Sequence, residues 1–441
     1  MIYKDCDIRG IYGKELTLQE VRLIGRALGT MLEGRNITVC GDVRVSTYDI
    51  KEQLIAGLVE TGGDVIDIGI VPTPAAYFAK SSRCLDTYAL AVVTASHNPA
   101  EYNGIKLMLG NMPPTPQEIK DIAEMVRTGN FSFSEGRAVT LDIRDAYEKT
   151  LWDLAKPAGK PLKVVLDIGN GTTSGIAGKI FSDMGYAVSE LYPEADGRFP
   201  NRNPNPADFK NIEELCRRVT EENADFGAAF DGDGDRAVFV DDKGRPVINE
   251  KSLIMLTALK SRRYGGPFSV VYDQKCSSIV PKTIESLGGE PILERSGHAF
   301  IKKRFIEKGS ILAGEISGHF FFKELGHDDG IYAGLCIGEY ISESGKKLSE
   351  LADEIPDPHI SSDLRYKVEY AAMDQIIERI KSDYAKYPVS VYDGVRVELP
   401  DGWFLVRKSV TAQEMTLRIE ADSDRKVEEM RRKLVSRYFA Q

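Results

Sequence analysis

The sequence has few cysteines and no pair of them in a Cys-x-x-Cys spacing. Six cysteines are scattered singly through 441 residues, so we expect reduced thiols rather than a disulfide framework or a zinc site. No segment approaches the ~18 consecutive apolar residues of a membrane helix, and residues 1–7 lack the apolar core of a signal peptide. These absences predict a cytoplasmic protein that has no membrane partner.

An excess of positive charge is also absent. The chain has 57 lysines and arginines against 67 acidic residues, which gives a net charge of −10. A surface that binds nucleic acid over its whole extent needs an excess of basic over acidic residues, so we expect no nucleic-acid partner. Apolar residues make up 42% of the chain, which is typical of a globular protein, and the length suggests about three domains.

An apolar strand that ends in a polar turn is predicted at residues 90–99. The run Leu-Ala-Val-Val is rich in β-branched residues, and Asn98-Pro99 is a turn signal. A serine at the carboxyl end of such a strand, here Ser96, is well placed for chemistry on a bound ligand. An ordinary exit from a strand, with Ser96 bonded to a nearby backbone group, explains the same residues.

The same order of elements occurs three times along the chain. Each time a strand, a polar loop and a helix closed by glycine are followed by a later strand that delivers a second polar loop, at 94–99, 231–236 and 314–319. We therefore predict three similar α/β units with mixed sheets, whose polar loops converge on a central cleft.

A smaller α+β domain is predicted at the carboxyl terminus. Prolines mark linkers near 157–161 and 356–358, and short strands with a charged final helix follow the second linker. We predict four domains, at residues 1–150, 151–249, 250–357 and 358–441.

Three carboxylates alternate with glycines at Asp231, Asp233 and Asp235. Hard oxygen ligands at this spacing suit Mg²⁺, which prefers few carboxylates. A calcium loop of the EF-hand type fails, because Arg236 stands where glycine is needed and Asp242 where a glutamate is needed. A charged turn is the other alternative, but three aspartates this close repel one another unless a cation lies between them, so we favour a metal.

Two further stretches carry positive charge. Asn103-Gly104 is a hairpin signal that places Lys106 at the start of the next strand, where it could hold a phosphate, transfer a proton or simply be exposed. In residues 407–411, Arg407, Ser409 and Thr411 alternate on a loop, a pattern that suits a phosphate or an ordinary solvated loop.

The third polar loop combines groups that can bind a polyhydroxylated ligand. Glu315, Ser317 and His319 alternate and could point to one side. Basic and titratable groups of the same unit are Arg295, His298 and Lys302. Each histidine taken alone, His97 included, is more often structural than catalytic.

Together these stretches resemble the α-D-phosphohexomutase superfamily. Residues 94–99 match its phosphoserine loop, 231–236 its metal loop, 314–319 its sugar loop and 407–411 its phosphate loop. The resemblance extends from 7–10 to 420–421. Residues 295–302 and 318–323 look most like the bacterial phosphomannomutase/phosphoglucomutase branch.

The resemblance implies a phosphotransferase that interconverts hexose 1-phosphate and hexose 6-phosphate of mannose, glucose or both. The reaction would use a phosphoserine, a 1,6-bisphosphate intermediate and Mg²⁺, with glucose 1,6-bisphosphate or another hexose bisphosphate as activator. The implied catalytic residues are Ser96, Arg9, Lys106 and His298, and the implied metal ligands are Ser96, Asp231, Asp233 and Asp235. The implied substrate-binding residues are His97, Arg236, Arg295, Lys302, Glu315, Ser317, His319, Arg407, Ser409 and Thr411.

Other functions of the same family remain as alternatives. Phosphoglucosamine mutase is one, although Gly297-His298 disfavours it, and a catalytically silent sugar-phosphate-binding protein is another. Cys6, Val410 and Ala412-Gln413 depart from the family pattern, and they bear on which sugar is bound rather than on the reaction. We expect sugar phosphates as the partners and a monomer or weak dimer.

Overall fold

The computed structural model describes residues 2–81, 85–157, 159, 161–408 and 413–439. Within them the chain forms four β-sheets, one after another along the sequence. Each sheet takes its strands from within one of the four predicted domain ranges, although the boundaries between those ranges stay a prediction. No helix in this described part of the chain has both the length and the apolar character needed to cross a membrane.

The first sheet has six strands in the order β1-β5-β4-β2-β3-β6. The pairs among β2, β3, β4 and β6 are parallel, and β5 is antiparallel to β4 and β1. The strands are β1 (Asp7–Ile11), β2 (Ile37–Gly41), β3 (Asp64–Ile70), β4 (Ala89–Val93), β5 (Tyr102–Leu109) and β6 (Arg137–Thr140). The helices are α1 (Leu18–Leu32), α2 (Thr47–Glu60), α3 (Thr73–Ser81), α4 (Pro116–Thr128) and α5 (Arg144–Leu154).

The second sheet has five strands in the order β11-β10-β9-β7-β8, again with parallel and antiparallel pairs. They are β7 (Lys163–Asp167), β8 (Ala187–Leu191), β9 (Phe226–Phe230), β10 (Ala237–Asp241) and β11 (Pro246–Val247). The helices are α6 (Ala177–Asp183) and α7 (Glu213–Glu222), with a short 3₁₀ turn at Phe209–Ile212.

The third sheet repeats this mixed arrangement in the order β13-β12-β14-β15-β16. Its strands are β12 (Ser269–Asp273), β13 (Glu290–Glu294), β14 (Leu312–Gly314), β15 (Phe320–Phe322) and β16 (His327–Asp328). The helices are α8 (Asn249–Tyr264), α9 (Ile279–Ser286), α10 (His298–Lys308), α11 (Gly330–Ser344) and α12 (Leu348–Asp353).

The fourth sheet is antiparallel throughout, in the order β17-β21-β20-β19-β18. Its strands are β17 (Leu364–Lys367), β18 (Val389–Ser390), β19 (Val395–Leu399), β20 (Gly402–Lys408) and β21 (Glu414–Ala421). The helices are α13 (Tyr370–Asp383) and α14 (Asp424–Leu434), followed by a π turn at Val435–Phe439. The predicted fold class, three α/β units and a smaller α+β unit, is confirmed.

Strand β4 is buried along its whole length, as its apolar sequence predicts. Ala89, Ala91 and Val93 face a core that includes residues of α1, α2 and α4. Leu90 and Val92 face a much larger core that is continuous through the second and third sheets. Helices on both faces therefore fix the direction in which β4 delivers the loop that follows it.

The predicted hairpin turn at Asn103-Gly104 is wrong. Both residues already belong to β5, where they pair with Gly10 and Arg9 of β1. A β-carbon on Gly104 would lie 2.3 Å from the Ile8 carbonyl oxygen, so the glycine permits close contact between strands rather than a turn. Lys106 consequently lies in the middle of β5.

Candidate functional site

The serine loop, residues 94–99, leaves the carboxyl end of β4. Ser96 has a φ of 48°, a left-handed conformation that costs a non-glycine residue about 1–3 kcal/mol and is concentrated at functional sites. Its hydroxyl donates to Asp231 Oδ2 at 2.7 Å, and its backbone N–H donates to Thr94 Oγ1 at 2.8 Å. The Ser96 hydroxyl thus reaches Asp231 from a backbone held in a strained conformation.

Arg44, for which the sequence predicted no role, fixes the conformation of the serine loop through hydrogen bonds to its backbone. Its side chain is fully buried and pairs with Asp42 at 3.0 Å. Its two terminal nitrogens donate at 2.6–3.0 Å to four backbone carbonyls, those of Ser96, Asn98, Pro99 and Tyr102. The signal for it in the sequence was its position just after β2, where parallel strands deliver ligand-facing loops.

The aspartate loop, residues 231–236, follows β9 and lies against the serine loop. Carboxylate oxygens of Asp231, Asp233 and Asp235 lie within 4.8 Å of one another, and all three residues are buried. A β-carbon on Gly232 would lie 2.6 Å from the Ser96 carbonyl oxygen. Glycine at this position therefore allows the two loops to approach each other closely.

Lys106 neutralises part of this acidic cluster. Its ammonium lies 2.8 Å from Asp233 Oδ2 and 2.5 Å from Asp235 Oδ2. Burial disfavours the charged amine, but these two carboxylates outweigh it and hold the pKa of Lys106 well above its usual value. Burial and the neighbouring carboxylates of Asp235 and Asp233 raise the pKa of Asp231 well above its usual range.

The aspartate loop fits a divalent cation. Oδ1 of Asp233 and Oδ1 of Asp235 are buried and have no hydrogen-bond partner among the described residues. Buried carboxylate oxygens without a partner are costly, and a hard cation such as Mg²⁺ satisfies them. With the Ser96 oxygen bonded to Asp231, the four predicted metal ligands lie together.

A histidine cluster connects the third unit to this loop. His298 Nε2 and His319 Nδ1 lie 2.9 Å and 2.8 Å from the same oxygen, Oδ2 of the buried Asp328. Arg236 Nε lies 3.0 Å from the other ring nitrogen of His319. Burial lowers the pKa of His298, an effect that Asp328 opposes. Asp328 was missed in the sequence; it lies in β16, where it pairs with Phe321 of β15.

Glu315 and Ser317 lie beside this cluster. Glu315 is buried and accepts a hydrogen bond from the Gly297 N–H at 2.8 Å. Burial, and then the charge of Asp273, raise the pKa of Glu315 to about 7. The Ser317 hydroxyl is 3.4 Å from Glu315 Oε2, so the two form a donor and acceptor pair.

Nine predicted site residues line one cavity of about 290 Å³, the central cleft. Five carry positive charge from four different parts of the chain, which suits a ligand with phosphate groups at both ends. The nine are Arg9, Ser96, His97, Lys106, Arg236, Arg295, His298, His319 and Arg407. Arg9 also donates to Asn98 Oδ1 at 2.9 Å, and Arg407 pairs with Asp393 at 2.7 Å.

Other predicted residues lie elsewhere. Glu315 and Ser317 are set back from the wall of the central cleft, and Lys302 lines a neighbouring cavity instead. Ser409 and Thr411 lie outside the described residues, as do Val410 and Ala412. Cys6, which departs from the family pattern, lies on the cleft wall.

Three family models match the chain in succession. They describe the α/β/α domains I, II and III of phosphoglucomutase/phosphomannomutase and match residues 1–132, 145–244 and 249–359. These ranges contain the serine loop, the aspartate loop and every strand of the first three sheets except β6 and β11.

Relatives of known name match nearly the whole chain. A phosphomannomutase/phosphoglucomutase of Pseudomonas syringae is 36% identical over 434 residues, which cover 97% of this chain and 92% of that protein. A phosphomannomutase of Methanocaldococcus jannaschii is 33% identical over 440 residues, which cover 97% of this chain and 95% of that protein. A solved structure from Burkholderia thailandensis, a phosphoglucomutase/phosphomannomutase family protein, has a TM-score of 0.91 at 33% identity and covers 99% of this chain and 97% of that one.

Proposed function

The chain belongs to the phosphoglucomutase/phosphomannomutase family and is a hexose-phosphate mutase, and we propose that Ser96 carries its phosphoryl group. The observation that supports this role is the strained serine on the wall of a cationic cleft, with its hydroxyl bonded to a buried carboxylate. Phosphorylated Ser96 would give its phosphoryl group to the free hydroxyl of a hexose phosphate. The 1,6-bisphosphate would then turn round in the cleft and return its other phosphoryl group to Ser96.

Proton transfer is assigned to His298 and Lys106. Burial favours the neutral imidazole of His298, so it can accept the proton of the attacking sugar hydroxyl. Two carboxylates hold Lys106 in its charged form and raise its pKa, so it would give up a proton only to a strongly basic group such as the sugar alkoxide that leaves during transfer. Arg9, 2.9 Å from the serine-loop residue Asn98, would steady the phosphoserine.

Asp231, Asp233 and Asp235 would hold Mg²⁺ together with the phosphate on Ser96. When bound, the cation supplies neutralisation of the charge that develops during phosphoryl transfer. The two unpartnered oxygens of Asp233 and Asp235 support this assignment. A hexose 1,6-bisphosphate, such as that of glucose, would serve as the activator that loads Ser96.

The substrates proposed are the phosphates of mannose and glucose. These sugars differ only at C2, and a loop that reads other hydroxyls separates them weakly. Glu315 and Ser317 would bind such hydroxyls, and the five predicted cationic residues of the cleft would bind the two phosphates, together with Ser409 and Thr411. All of these residues come from one chain, which fits a monomer or weak dimer, and we propose the cytoplasm as its location.

Purified protein with Mg²⁺ and trace glucose 1,6-bisphosphate should convert glucose 1-phosphate and mannose 1-phosphate to the 6-phosphates. The same assay with glucosamine 1-phosphate tests the amino sugar as an alternative substrate. If none of the three sugar phosphates is isomerised, the proposed reaction is rejected. Release of inorganic phosphate would point to a phosphatase.

Ser96→Ala should lower kcat by roughly 10³-fold or more, because the covalent carrier is lost. Intact mass after incubation with the bisphosphate should show one added phosphoryl group in the wild type and none in the variant. A Ser174→Ala variant, changed at a hydroxyl of the second unit that bonds to the Pro193 carbonyl, serves as the control. Near-full activity of Ser96→Ala would remove Ser96 from this role.

A further inference from the structure

A second cavity, of about 690 Å³, adjoins the central cleft. Tyr77 and Met108 line both cavities. The remaining lining comes from α3, from the segments just before β4 and just after β5, from α10, and from the stretch of chain that leads from β15 into β16. We name it the side cavity.

A buried ammonium group lies at the wall of the side cavity. Lys302 is 1% exposed, and its Nζ has no hydrogen-bond partner among the described residues. Its nearest partner is the Tyr77 ring, whose centroid is 2.9 Å from Nζ. A buried charge without a partner is strongly disfavoured, and burial accordingly lowers the pKa of Lys302 to about 7. An anion beside the amine would restore its charged form.

A second positive charge lies on the wall of the side cavity. Lys80 supplies it, and among the described residues its ammonium hydrogen-bonds to Asn111 Oδ1 at 3.3 Å. His327 donates its Nδ1–H to the Asp328 carbonyl oxygen at 2.9 Å, and burial lowers the pKa of the ring to about 4, so the neutral ring offers its buried Nε2 as an acceptor for a ligand hydroxyl. The one acidic lining residue, Asp86, is exposed. The side cavity therefore offers donors and positive charge but little to attract a cation.

We propose that the side cavity binds a small organic anion, whose phosphate or carboxylate lies against Lys302 and Lys80. The volume lies within the range of about 300–1,000 Å³ that is usual for small-molecule sites. Tyr77, Met108 and Ile306 supply an apolar wall for the body of the ligand. This site is separate from the central cleft, because Lys302, Lys80 and His327 line only the side cavity.

Equilibrium dialysis of the full-length protein with radiolabelled inorganic phosphate, and in a separate arm with radiolabelled succinate, tests the proposal. Lys302→Met should weaken binding of the preferred anion by about tenfold or more, because a charge-assisted hydrogen bond is lost. Lys80→Met should weaken it by a smaller factor. Stronger retention of phosphate than of succinate would identify a phosphorylated ligand, and the reverse a carboxylate.

Two control variants separate this site from the rest of the surface. Lys303→Met removes a half-exposed charge from the next position of α10, and Arg295→Met removes a cation from the central cleft. Both should retain the binding that Lys302→Met loses. If Arg295→Met loses the binding while Lys302→Met retains it, the anion occupies the cleft and the proposal fails. The proposal also fails if the wild type binds neither anion. If Lys302→Met does not fold, the anion binding of Lys80→Met tests the proposal instead.

Discussion

Arg44 shows how one buried side chain can set the position of a reactive loop. A fully buried charge survives only where every donor is satisfied, and Arg44 meets this demand with Asp42 and four loop carbonyls. These four carbonyls can in turn face inward because the guanidinium donates to them. The conformation of the serine loop is thus coupled to the core of the first sheet.

Arg44→Met should lower the free energy of unfolding by about 3–5 kcal/mol, since Asp42 and the loop carbonyls would remain buried without a partner. It should also lower mutase kcat, because Ser96 loses its support. Urea unfolding and the mutase assay measure the two effects. Arg198→Met, which breaks an exposed pair with Asp196, should change stability by less than about 0.5 kcal/mol, and an equal cost for both variants would contradict the argument.

At the scale of the secondary-structure element, the start of α11 depends on a carboxylate that burial disfavours. Asp329 caps the helix by accepting from the Tyr332 N–H at 2.9 Å, and it accepts from the Tyr147 hydroxyl at 2.8 Å. Burial raises the pKa of Asp329 from 3.8 to about 7. The folded protein therefore keeps this proton at pH values where the unfolded chain has lost it.

Stability should consequently fall as the pH rises from about 4 to about 7, because the folded state binds more protons in that window. Asp329→Asn retains an acceptor for the helix cap but does not titrate. Its free energy of unfolding should exceed that of the wild type by about 4 kcal/mol above this window and not below it. Urea unfolding at a series of pH values measures the difference, with exposed Asp153→Asn as the control; a constant offset between the curves would contradict the prediction.

Gly232 lies at the contact between the serine and aspartate loops. Gly232→Ala should displace these loops, because the new β-carbon would meet the Ser96 carbonyl oxygen at 2.6 Å. We expect a loss of about 1–3 kcal/mol in stability and up to about 10²-fold in kcat. Gly266→Ala, where the nearest atom to the new carbon lies 3.8 Å away, should leave the mutase rate unchanged. Normal activity of Gly232→Ala would show that the close approach has no catalytic importance.

Elements were predictable from the sequence where local signals agree with the tertiary contacts. The apolar run of β4 specified a buried strand, and residues 231–236 specified an acidic loop, because both patterns are local. Asn103-Gly104 gave a wrong prediction of a turn, because Gly104 instead allows close contact with β1, a strand more than ninety positions earlier in the chain. Periodicity likewise could not show that Lys302 lines the side cavity while His298, four residues earlier on α10, lines the cleft.

At the scale of the whole molecule, the fourth sheet is attached through polar contacts. It has its own apolar core, and Glu420 at the end of β21 connects it to the third unit. This carboxylate accepts from the Ser278 N–H at 2.9 Å, from the hydroxyls of Ser277 and Ser278, and from Trp403 Nε1 at 2.6 Å. Arg407 therefore reaches the central cleft from a unit whose attachment depends on a few charged groups.

Glu420→Gln should loosen this attachment, because an amide nitrogen cannot accept the hydrogen bonds that a carboxylate oxygen accepts. Each lost bond to a charged group costs about 1.5–3 kcal/mol. We expect faster proteolysis between residues 356 and 362, and a larger rise in KM for glucose 1-phosphate than fall in kcat, since we propose that Arg407 binds the distal phosphate. Glu428→Gln, on the exposed face of α14, is the matched control, and unchanged proteolysis and KM in Glu420→Gln would refute the prediction.

The first three units share one apolar core, whereas the fourth unit has its own. This difference bears on how the architecture can evolve. Recombination that replaced one of the first three units would cut through packed apolar side chains of its neighbours, and any replacement would have to match them in shape. A replacement of the fourth unit would have to match the hydrogen bonds of Glu420 and the surroundings of Trp403 and Leu405, which are buried outside that unit's own core. Exchange of that unit could give a chain of this kind a new version of the loop for which we propose phosphate binding, while its serine and aspartate loops stay intact.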